Sequence, residues 1–249
     1  MTDTKELDWQ TYGWDADWEA RWHADNFAAN GRLKPARVTA QFSHVYRIVS
    51  ETGDRQAKVT GKFEFAAGSK SDFPAVGDWV AAELLDHEHA AIHAVLPRRS
   101  AMSRRAAGNR TEEQIIGANI DTLFIVSALN EDFNLSRIER YLVMAWESGA
   151  HPVVLLTKSD LCADWETKVR QVEAAAPGVP VHAVSAMANQ GKACLAPYLQ
   201  PGKTVAVTGS SGVGKSTLLN WLAEEDLQRV QGIREDDARG RHTTTHREL

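Results

Sequence analysis

The chain has 249 residues, of which 43% are hydrophobic and 24% charged, and its formal net charge is −5 at pH 7. These values are typical of a globular protein with one or two domains. The net negative charge gives no global reason to expect nucleic-acid binding, so any such surface must be local. The N-terminus MTDTKELDW lacks the apolar run of a signal peptide, and no stretch is apolar for long enough to form a membrane helix. The two cysteines, Cys162 and Cys194, lie far apart in the sequence. We therefore expect a cytoplasmic protein with free thiols and no membrane partner.

Residues 1–34 form a tryptophan-rich extension. Trp9, Trp14, Trp18 and Trp22 recur at spacings of four or five residues, so one side of a helix would be aromatic. Such a side either packs onto the body of the protein or provides a surface for base stacking or for a partner.

Residues 35–98 contain short alternating β runs separated by Gly, Asp and His turns, a pattern typical of a small all-β domain. The runs are Ala36–Phe42, Val45–Val49, Gln56–Gly61, Asp78–Leu84 and Ala90–Leu96.

An arginine-rich linker, residues 99–118, comes next. Five arginines lie in this linker or immediately before it, with no acidic residue among them before Glu112. They are Arg98, Arg99, Arg104, Arg105 and Arg110. Such a run can bind RNA phosphates, although basic runs also occur on ordinary solvated faces. A second cluster, at Arg229, Arg234, Arg239, Arg241 and Arg247, is interrupted by acidic residues and is the weaker candidate.

Residues 119–249 alternate between buried strands and helices. The strand-like runs are Thr122–Leu129, Pro152–Leu156 and Val179–Val184, and the helical stretches between them are Leu135–Gly149 and Trp165–Ala176. Continuous apolar runs indicate strands that are buried on both faces. The alternation predicts an α/β domain with a doubly wound parallel sheet.

The stretch GSSGVGKS, residues 209–216, satisfies the phosphate-loop pattern G-x-x-x-x-G-K-[ST], between a β run at Val205–Val207 and a helix start at Thr217–Leu222. Glycines let the backbone approach a phosphate, and the helix N-terminus favours the anion. Lys215 would reach the β- and γ-phosphates, and the Ser216 hydroxyl would ligate Mg²⁺. The alternative is a plain Gly/Ser-rich turn. The predicted nucleotide-binding residues here are Gly209, Ser210, Ser211, Gly212, Val213, Gly214, Lys215, Ser216 and Thr217.

The tetrapeptide TKSD, residues 157–160, directly follows a buried run and matches the guanine-recognition pattern [NT]-K-x-D. A carboxylate there can accept hydrogen bonds from the ring N–H and the exocyclic amine of guanine, a donor pair that adenine lacks. The Lys158 stem can lie along the base, and Ser185-Ala186-Met187 suits a second base loop. The predicted base-binding residues are Thr157, Lys158, Ser159, Asp160, Ser185 and Ala186. The alternative is an ATPase in which TKSD occurs by chance.

The guanine motif precedes the phosphate loop, the reverse of the order in a conventional GTPase. A circular permutation explains this order, because domain termini usually lie at the surface and can be joined while the chain opens elsewhere. We expect the join at Asn189–Gly202.

Six stretches together resemble the circularly permuted ribosome small-subunit-dependent GTPase family (RsgA), over roughly residues 35–249. They are FPAVGDWV (73–80), LPRRSAMSRRAAG (96–108), NEDFNLSRIERYLVMAWESG (130–149), LLTKSDL (155–161), GSSGVGKSTLLN (209–220) and GRHTTTHREL (240–249). The resemblance implies an OB-fold barrel of five strands at residues 35–98, which either binds RNA or is purely structural, and a permuted P-loop GTPase domain at residues 119–249. It also favours rRNA contact by the arginine-rich linker.

The resemblance further makes GRHTTTHREL the first switch segment. One of Thr243, Thr244 and Thr245 would complete the Mg²⁺ shell, with Thr244 favoured and the register open. His242 is a candidate for positioning the attacking water or for RNA contact. The implied catalytic residues are thus Lys215, Thr244 and His242, and the implied Mg²⁺ ligands are Ser216 and Thr244.

By the same resemblance, the protein would be a monomeric GTPase that hydrolyses GTP to GDP and phosphate on the small (30S) ribosomal subunit during late maturation. Its cofactors would be GTP/GDP and Mg²⁺, and its partners that subunit and its rRNA. The alternative is an RNA-binding module whose affinity GTP switches, with little hydrolysis. Relatives continue with a second switch and a Cys/His zinc module, which do not follow the first switch segment here. We therefore expect an incomplete GTPase domain without the zinc site, a phosphate-loop strand at an exposed sheet edge, and nucleotide binding with weak or absent hydrolysis.

Overall fold

The computed structural model describes residues 9–105, 113–130 and 133–223, and the backbone of residues 247–248. The chain divides into two compact units. The first unit holds residues up to Ile120 together with Pro201–Thr204 and the backbone at 247–248, and the second runs from Asp121 to Gln200 and on from Val205. No helix in the described ranges is both long enough and apolar enough to cross a membrane.

The first unit is built on a closed barrel of five strands. They are β1 (Leu33–Phe42), β2 (Val45–Ser50), β3 (Gly53–Val59), β4 (Trp79–Leu84) and β5 (His89–Val95). The strand order is β1-β2-β3-β5-β4, and β1 closes the barrel by also pairing with β4. Only the β3–β5 pair is parallel among these. A short helix, α2 (Gly61–Ala66), follows β3.

β1 can pair with both neighbours because it is ten residues long and its register with β2 shifts between Val38 and Ala40, as expected where a bulge bends a barrel strand. The inward-facing residues include the branched Val38, Ile48 and Ile92, all three fully buried, and the larger Tyr46. The predicted OB-fold barrel is confirmed. The backbone of Arg247–Glu248 adds a short antiparallel strand to the outer edge of β1.

The tryptophan-rich extension packs onto the barrel. Its helix α1 spans Ala16–Ala24, so only Trp18 and Trp22 lie on the predicted helix, while Trp9 and Trp14 lie before it. All four rings cluster with Trp79 of β4, and the Trp14 and Trp79 ring centroids are 4.7 Å apart in an edge-on arrangement. Trp18 and Trp22 are almost fully buried. The structure therefore favours the packing alternative for these two rings.

Asp15 connects this extension to Arg99. Its side chain caps α1 by accepting hydrogen bonds from the backbone N–H groups of Asp17 and Trp18, and Arg99 donates two hydrogen bonds to it. The Arg99 guanidinium also stacks 4.4 Å from the Trp18 ring centroid. The hydrogen bond from Arg99 is the main reason why the pKa of Asp15 falls from 3.8 to about 2.

We expect Asp15→Asn to lower the free energy of unfolding at pH 7 by at most about 1 kcal/mol, through loss of the ion pair with Arg99, because asparagine caps a helix about as well as aspartate and the half-exposed ion pair is screened by solvent. Because the folded-state pKa is depressed, the ionic contribution of Asp15 is present above its unfolded pKa of 3.8 and is lost as the pH falls towards about 2. Urea unfolding at several pH values, followed by tryptophan fluorescence, measures this. Asp54→Asn, at an exposed position of β3, is the control. If Asp15→Asn kept the wild-type pH dependence in this window, the contribution of Asp15 would be disproved.

A buried ion pair fixes the segment before β4. Asp78 is fully buried and accepts hydrogen bonds from Arg98 Nε and Nη2 at 2.9 and 2.8 Å and from the N–H of Ala75 at 2.8 Å. Arg98 also donates to the carbonyl oxygens of Ser71 and Phe73. The PAVGD part of the FPAVGDWV stretch is thus a structural turn that is closed by an arginine from beyond β5.

The stretch interpreted as a linker contains two antiparallel strands, β6 (Ala101–Arg105) and β7 (Glu113–Ala118). Asn119, directly after β7, donates a hydrogen bond to the carbonyl oxygen of Gly77 in the FPAVGDWV turn. These strands therefore belong to the first unit, which extends to Ile120. The predicted domain boundaries at residues 34, 98 and 118 stay a prediction.

The second unit contains a parallel sheet of four strands. They are β8 (Thr122–Ala128), β9 (His151–Thr157), β10 (Val181–Ala183) and β11 (Val205–Thr208), in the order β10-β9-β8-β11. Helix α3 (Leu135–Ser148) connects β8 to β9, α4 (Trp165–Ala175) connects β9 to β10, and α5 (Lys215–Ala223) follows β11. Every residue of β8 is buried, as expected for a parallel strand covered on both faces. The predicted parallel sheet is confirmed.

The predicted join runs from β10 at one edge of this sheet to β11 at the other. It contains a 3₁₀ helix, Lys192–Tyr198, and its Leu195 is fully buried in a core cluster that includes Phe124 of β8 and Leu218 of α5. The permuted order of the motifs is thus accommodated by a packed connection. Among the described residues β11 pairs only with β8, and the predicted exposure of its other side stays a prediction because residues 224–246 lie outside the described ranges.

Candidate nucleotide-binding site

Three predicted loops follow the carboxyl ends of β9, β10 and β11. In a parallel sheet the carboxyl ends of the strands lie at the same end of the sheet, and open α/β sheets bind their ligands there. TKSD follows β9, the Ser185 loop follows β10, and the phosphate loop follows β11.

The phosphate loop passes directly over β8. Gly209 has φ +144°, and a Cβ atom at this position would lie 2.2 Å from the carbonyl oxygen of Val126. Only glycine fits such an approach of one backbone to another. Helix α5 begins immediately after the loop, and its first turn closes with a 2.8 Å hydrogen bond from the N–H of Leu218 to the carbonyl oxygen of Gly214. The N–H groups at the start of α5 can therefore serve an anion bound in the loop.

Lys215 lies within the curve of the loop. Its Nζ donates to the carbonyl oxygens of Gly209 and Ser210, at 2.5 and 2.6 Å. The ammonium group is thus held at the position where the loop would surround a phosphate chain. Ser216 and Thr217 follow it with exposed side chains in the first turn of α5.

The Ser216 hydroxyl is the kind of hard oxygen ligand that Mg²⁺ takes, together with substrate phosphates and water. Within the described ranges there is no cluster of three or more His, Cys, Asp or Glu side chains that could hold a metal. The Ser216 hydroxyl by its chemistry fits a Mg²⁺ ion that is shared with nucleotide phosphates. His242 and Thr243–Thr245 lie outside the described residues, so the predicted completion of the metal shell and the catalytic roles of Thr244 and His242 stay predictions.

The guanine motif and the phosphate loop contact each other. The buried Thr157 Oγ1 donates a 2.6 Å hydrogen bond to the carbonyl oxygen of Val213, and Lys158 Nζ donates at 3.1 Å to that of Gly212. Lys158 itself adopts a left-handed backbone, with φ +60°, which turns the chain sharply at the end of β9. The fold therefore assembles two motifs that are far apart in sequence into a single site.

Asp160 lies next to the loop after β10. It stands on a short 3₁₀ helix, Ser159–Leu161, with an exposed side chain, and the N–H of Ser159 donates to the carbonyl oxygen of Val184 at 3.3 Å. The loop after β10 is closed by reciprocal backbone hydrogen bonds between Ser185 and Gln190. This arrangement places the Asp160 carboxylate on a fixed turn that is open to a ligand.

Helix α5 is hydrogen-bonded to the segment that follows β10. Trp221 Nε1 donates to Asn189 Oδ1 at 2.8 Å, and Lys192 Nζ donates to the carbonyl oxygen of Trp221 at 2.9 Å. The base loop and the helix of the phosphate loop are therefore tied together by side chains at the join.

One residue at the site was missed by the sequence analysis. Arg137, in the first turn of α3, donates from Nη1 to Ser210 Oγ of the phosphate loop at 2.8 Å. The clue to its role is its place in the fold. Helix α3 follows β8, and β8 lies beside β11, the strand that precedes the phosphate loop.

The candidate RNA-binding arginines are placed differently from one another. The guanidinium groups of Arg98 and Arg99 are engaged with carboxylates of the first unit, while Arg104 is exposed on β6. The side chain of Arg105 and all of Arg110 lie outside the described residues. Contact of these arginines with RNA stays a prediction.

The RsgA GTPase family model matches residues 95–249. The chain is 48% identical to "Small ribosomal subunit biogenesis GTPase RsgA 2" of Lactiplantibacillus plantarum, across 91% of this chain and 64% of that protein. It is 44% identical to "Small ribosomal subunit biogenesis GTPase RsgA" of Opitutus terrae, across 89% of this chain and 63% of that protein. The chain thus spans less than two thirds of the length of these relatives.

Solved structures also resemble this chain. The crystal structure of YjeQ from Thermotoga maritima matches with a TM-score of 0.63 and 27% identity, over 76% of this chain and 65% of that one. YloQ, described as a circularly permuted GTPase, matches with a TM-score of 0.58 and 24% identity, over 76% and 64%, and supports the fold. The family match over the sheet and both motifs, together with identities above 40% to curated relatives, shows that the chain belongs to the RsgA GTPase family.

Proposed function

We propose that this chain binds GTP and GDP with Mg²⁺ at the site formed by TKSD and the phosphate loop, as part of a GTPase of small-subunit biogenesis. The observation that carries the proposal is the pair of hydrogen bonds from Thr157 and Lys158 to the phosphate-loop carbonyl oxygens. A phosphate loop alone would serve any nucleoside triphosphate, whereas a base motif fastened to that loop couples phosphate binding to recognition of guanine.

Each residue of the proposed site has a role that follows from the chemistry of its side chain. Asp160 accepts hydrogen bonds from the guanine ring N–H and exocyclic amine, and Lys215 neutralises charge on the β- and γ-phosphates. Ser216 would hold Mg²⁺, which supplies further charge neutralisation when bound. Hydrolysis then requires an attacking water to be oriented, and the candidates for that role and for the second metal ligand are His242 and Thr244.

We expect Asp160→Asn to weaken GDP binding about 100-fold, because the amide offers one acceptor and an opposing donor to two guanine donors. Xanthosine diphosphate carries a carbonyl in place of the exocyclic amine, so the same variant should bind it better than wild type does. Calorimetric titration with GDP, ADP and xanthosine diphosphate measures this. Asp164→Asn, an exposed carboxylate before α4, is the control. Unchanged selectivity in Asp160→Asn, or equal binding of ADP and GDP by wild type, would disprove guanine recognition by Asp160.

The reaction and the partner are tested by steady-state GTP turnover with and without small ribosomal subunits. Stimulated release of phosphate supports a GTPase that acts on the subunit in its late maturation. Guanine binding without turnover, accompanied by RNA affinity that depends on the bound nucleotide, would instead support the RNA-binding module as the function of this chain.

A further inference from the structure

Two cationic side chains from different elements converge on Ser210 of the phosphate loop. Lys215 Nζ donates to the Ser210 carbonyl oxygen at 2.6 Å, and Arg137 Nη1 donates to the Ser210 hydroxyl at 2.8 Å. Arg137 is partly buried where it makes this contact. A second positive charge therefore contacts the same loop residue as the lysine that the phosphate-loop pattern assigns to the phosphates.

The dipole of helix α3 does not favour a cation at the position of Arg137. The first turn of a helix carries partial positive charge and is stabilised by acidic residues, yet the first turn of α3 contains none. The N-terminus of α5, the end that faces the phosphate loop, adds a further partial positive charge. An anion bound in the loop would offset all of these charges together.

We propose that Arg137 is a second cation of the phosphate site and that it determines the preference for GTP over GDP. The inference rests on the proposed function, since it assumes that a guanine nucleotide occupies the site. The triphosphate carries one more negative charge than the diphosphate, so a cation beside the end of the phosphate chain stabilises GTP more. The guanidinium suits this role because it is always charged and donates several hydrogen bonds to phosphate oxygens.

The test is calorimetric titration of the full chain with GDP and with the non-hydrolysable analogue β,γ-imido-GTP in Mg²⁺ buffer. Arg137→Gln should weaken binding of the analogue about tenfold more than binding of GDP. Arg137→Lys, which keeps the charge, should retain most of the ratio between the two affinities. Arg140→Gln removes the same charge from an exposed position one turn further along α3, and it should leave the ratio unchanged.

Ser210→Ala separates electrostatics from loop shape, because it removes the hydrogen-bond acceptor and leaves the guanidinium charge in place. It should lower both affinities by a similar, small factor. If Arg137→Gln does not fold, as judged by circular dichroism, the same titrations are made with Arg137→Leu, which removes the charge and retains an aliphatic side chain.

The inference is overturned if Arg137→Gln lowers both affinities equally, since that would indicate a purely structural role in the loop, or if it lowers neither affinity. It is also overturned if Arg140→Gln shifts the ratio as much as Arg137→Gln does. Failure of wild type to bind either guanine nucleotide would instead refute the proposed function, and the inference with it, so the two failures are distinguishable.

Discussion

Replacing Asp78 with Asn should lower the free energy of unfolding of the first unit by about 3 kcal/mol. The carboxylate is fully buried and accepts three hydrogen bonds, two from Arg98 and one from the N–H of Ala75. An amide has a single oxygen, so one of its N–H groups would face a donor and the guanidinium would lose its counter-charge in a poorly solvated site. Such a loss is a substantial part of the roughly 5–15 kcal/mol that stabilises a typical domain, so Asp78→Asn should lower the unfolding midpoint of the first unit clearly.

The measurement is urea unfolding followed by tryptophan fluorescence, since Trp9, Trp14, Trp18, Trp22 and Trp79 all cluster in the first unit. Asp86→Asn is the matched control, because this carboxylate lies in an exposed turn where it accepts hydrogen bonds from backbone N–H groups, and asparagine serves such turns as well. Equal unfolding midpoints for the two variants would show that burial of the Asp78–Arg98 pair contributes nothing to stability.

Replacing Gly209 with Ala should abolish measurable guanine-nucleotide binding, with a loss in affinity of about 100-fold or more. The new Cβ would lie 2.2 Å from the carbonyl oxygen of Val126, which is backbone of a central strand and cannot move aside. The loop would have to shift instead. Lys215 would shift with it, because its Nζ is held by the carbonyl oxygens of Gly209 and Ser210.

Titration with GDP measures this loss. Gly178→Ala is the control, since Gly178 belongs to the same unit and has a positive φ of +83°, and no atom lies within 4 Å of the place that a Cβ would take there. It should cost about 1 kcal/mol of stability through backbone strain alone and leave GDP affinity unchanged. Binding of GDP by Gly209→Ala within a few-fold of wild type would contradict the close approach of the loop to β8.

The local features of the second unit follow from the sequence because each depends on neighbouring residues. The run TLFIVSA is apolar enough to form a strand buried on both faces, and it does so at Thr122–Ala128. Helix α3 ends at Gly149, as its sequence predicts, with the glycine in a left-handed conformation. The phosphate loop lies between a strand and a helix as its pattern requires.

Sequence reasoning was less successful where one segment meets another. It predicted a helix that would align four tryptophans, but α1 begins at Ala16, after the cap at Asp15, and the rings gather around Trp79 instead. Within residues 99–118 it did not predict the pairing of β6 with β7, because the charge pattern carries no information on strand pairing.

The sequence by itself determined the type of site: the residues proposed to bind phosphate, the carboxylate proposed to select guanine, and the reversed order of the two motifs. Only the tertiary structure decided which partners these residues have. Thr157 and Lys158 reach the phosphate loop, and Arg137 reaches Ser210, because β8 lies beside β11 and β9 comes next in the sheet order. The physical reason is that composition and spacing fix local conformation, whereas a hydrogen bond between residues far apart in sequence exists only once strand order and register have brought donor and acceptor within about 3 Å.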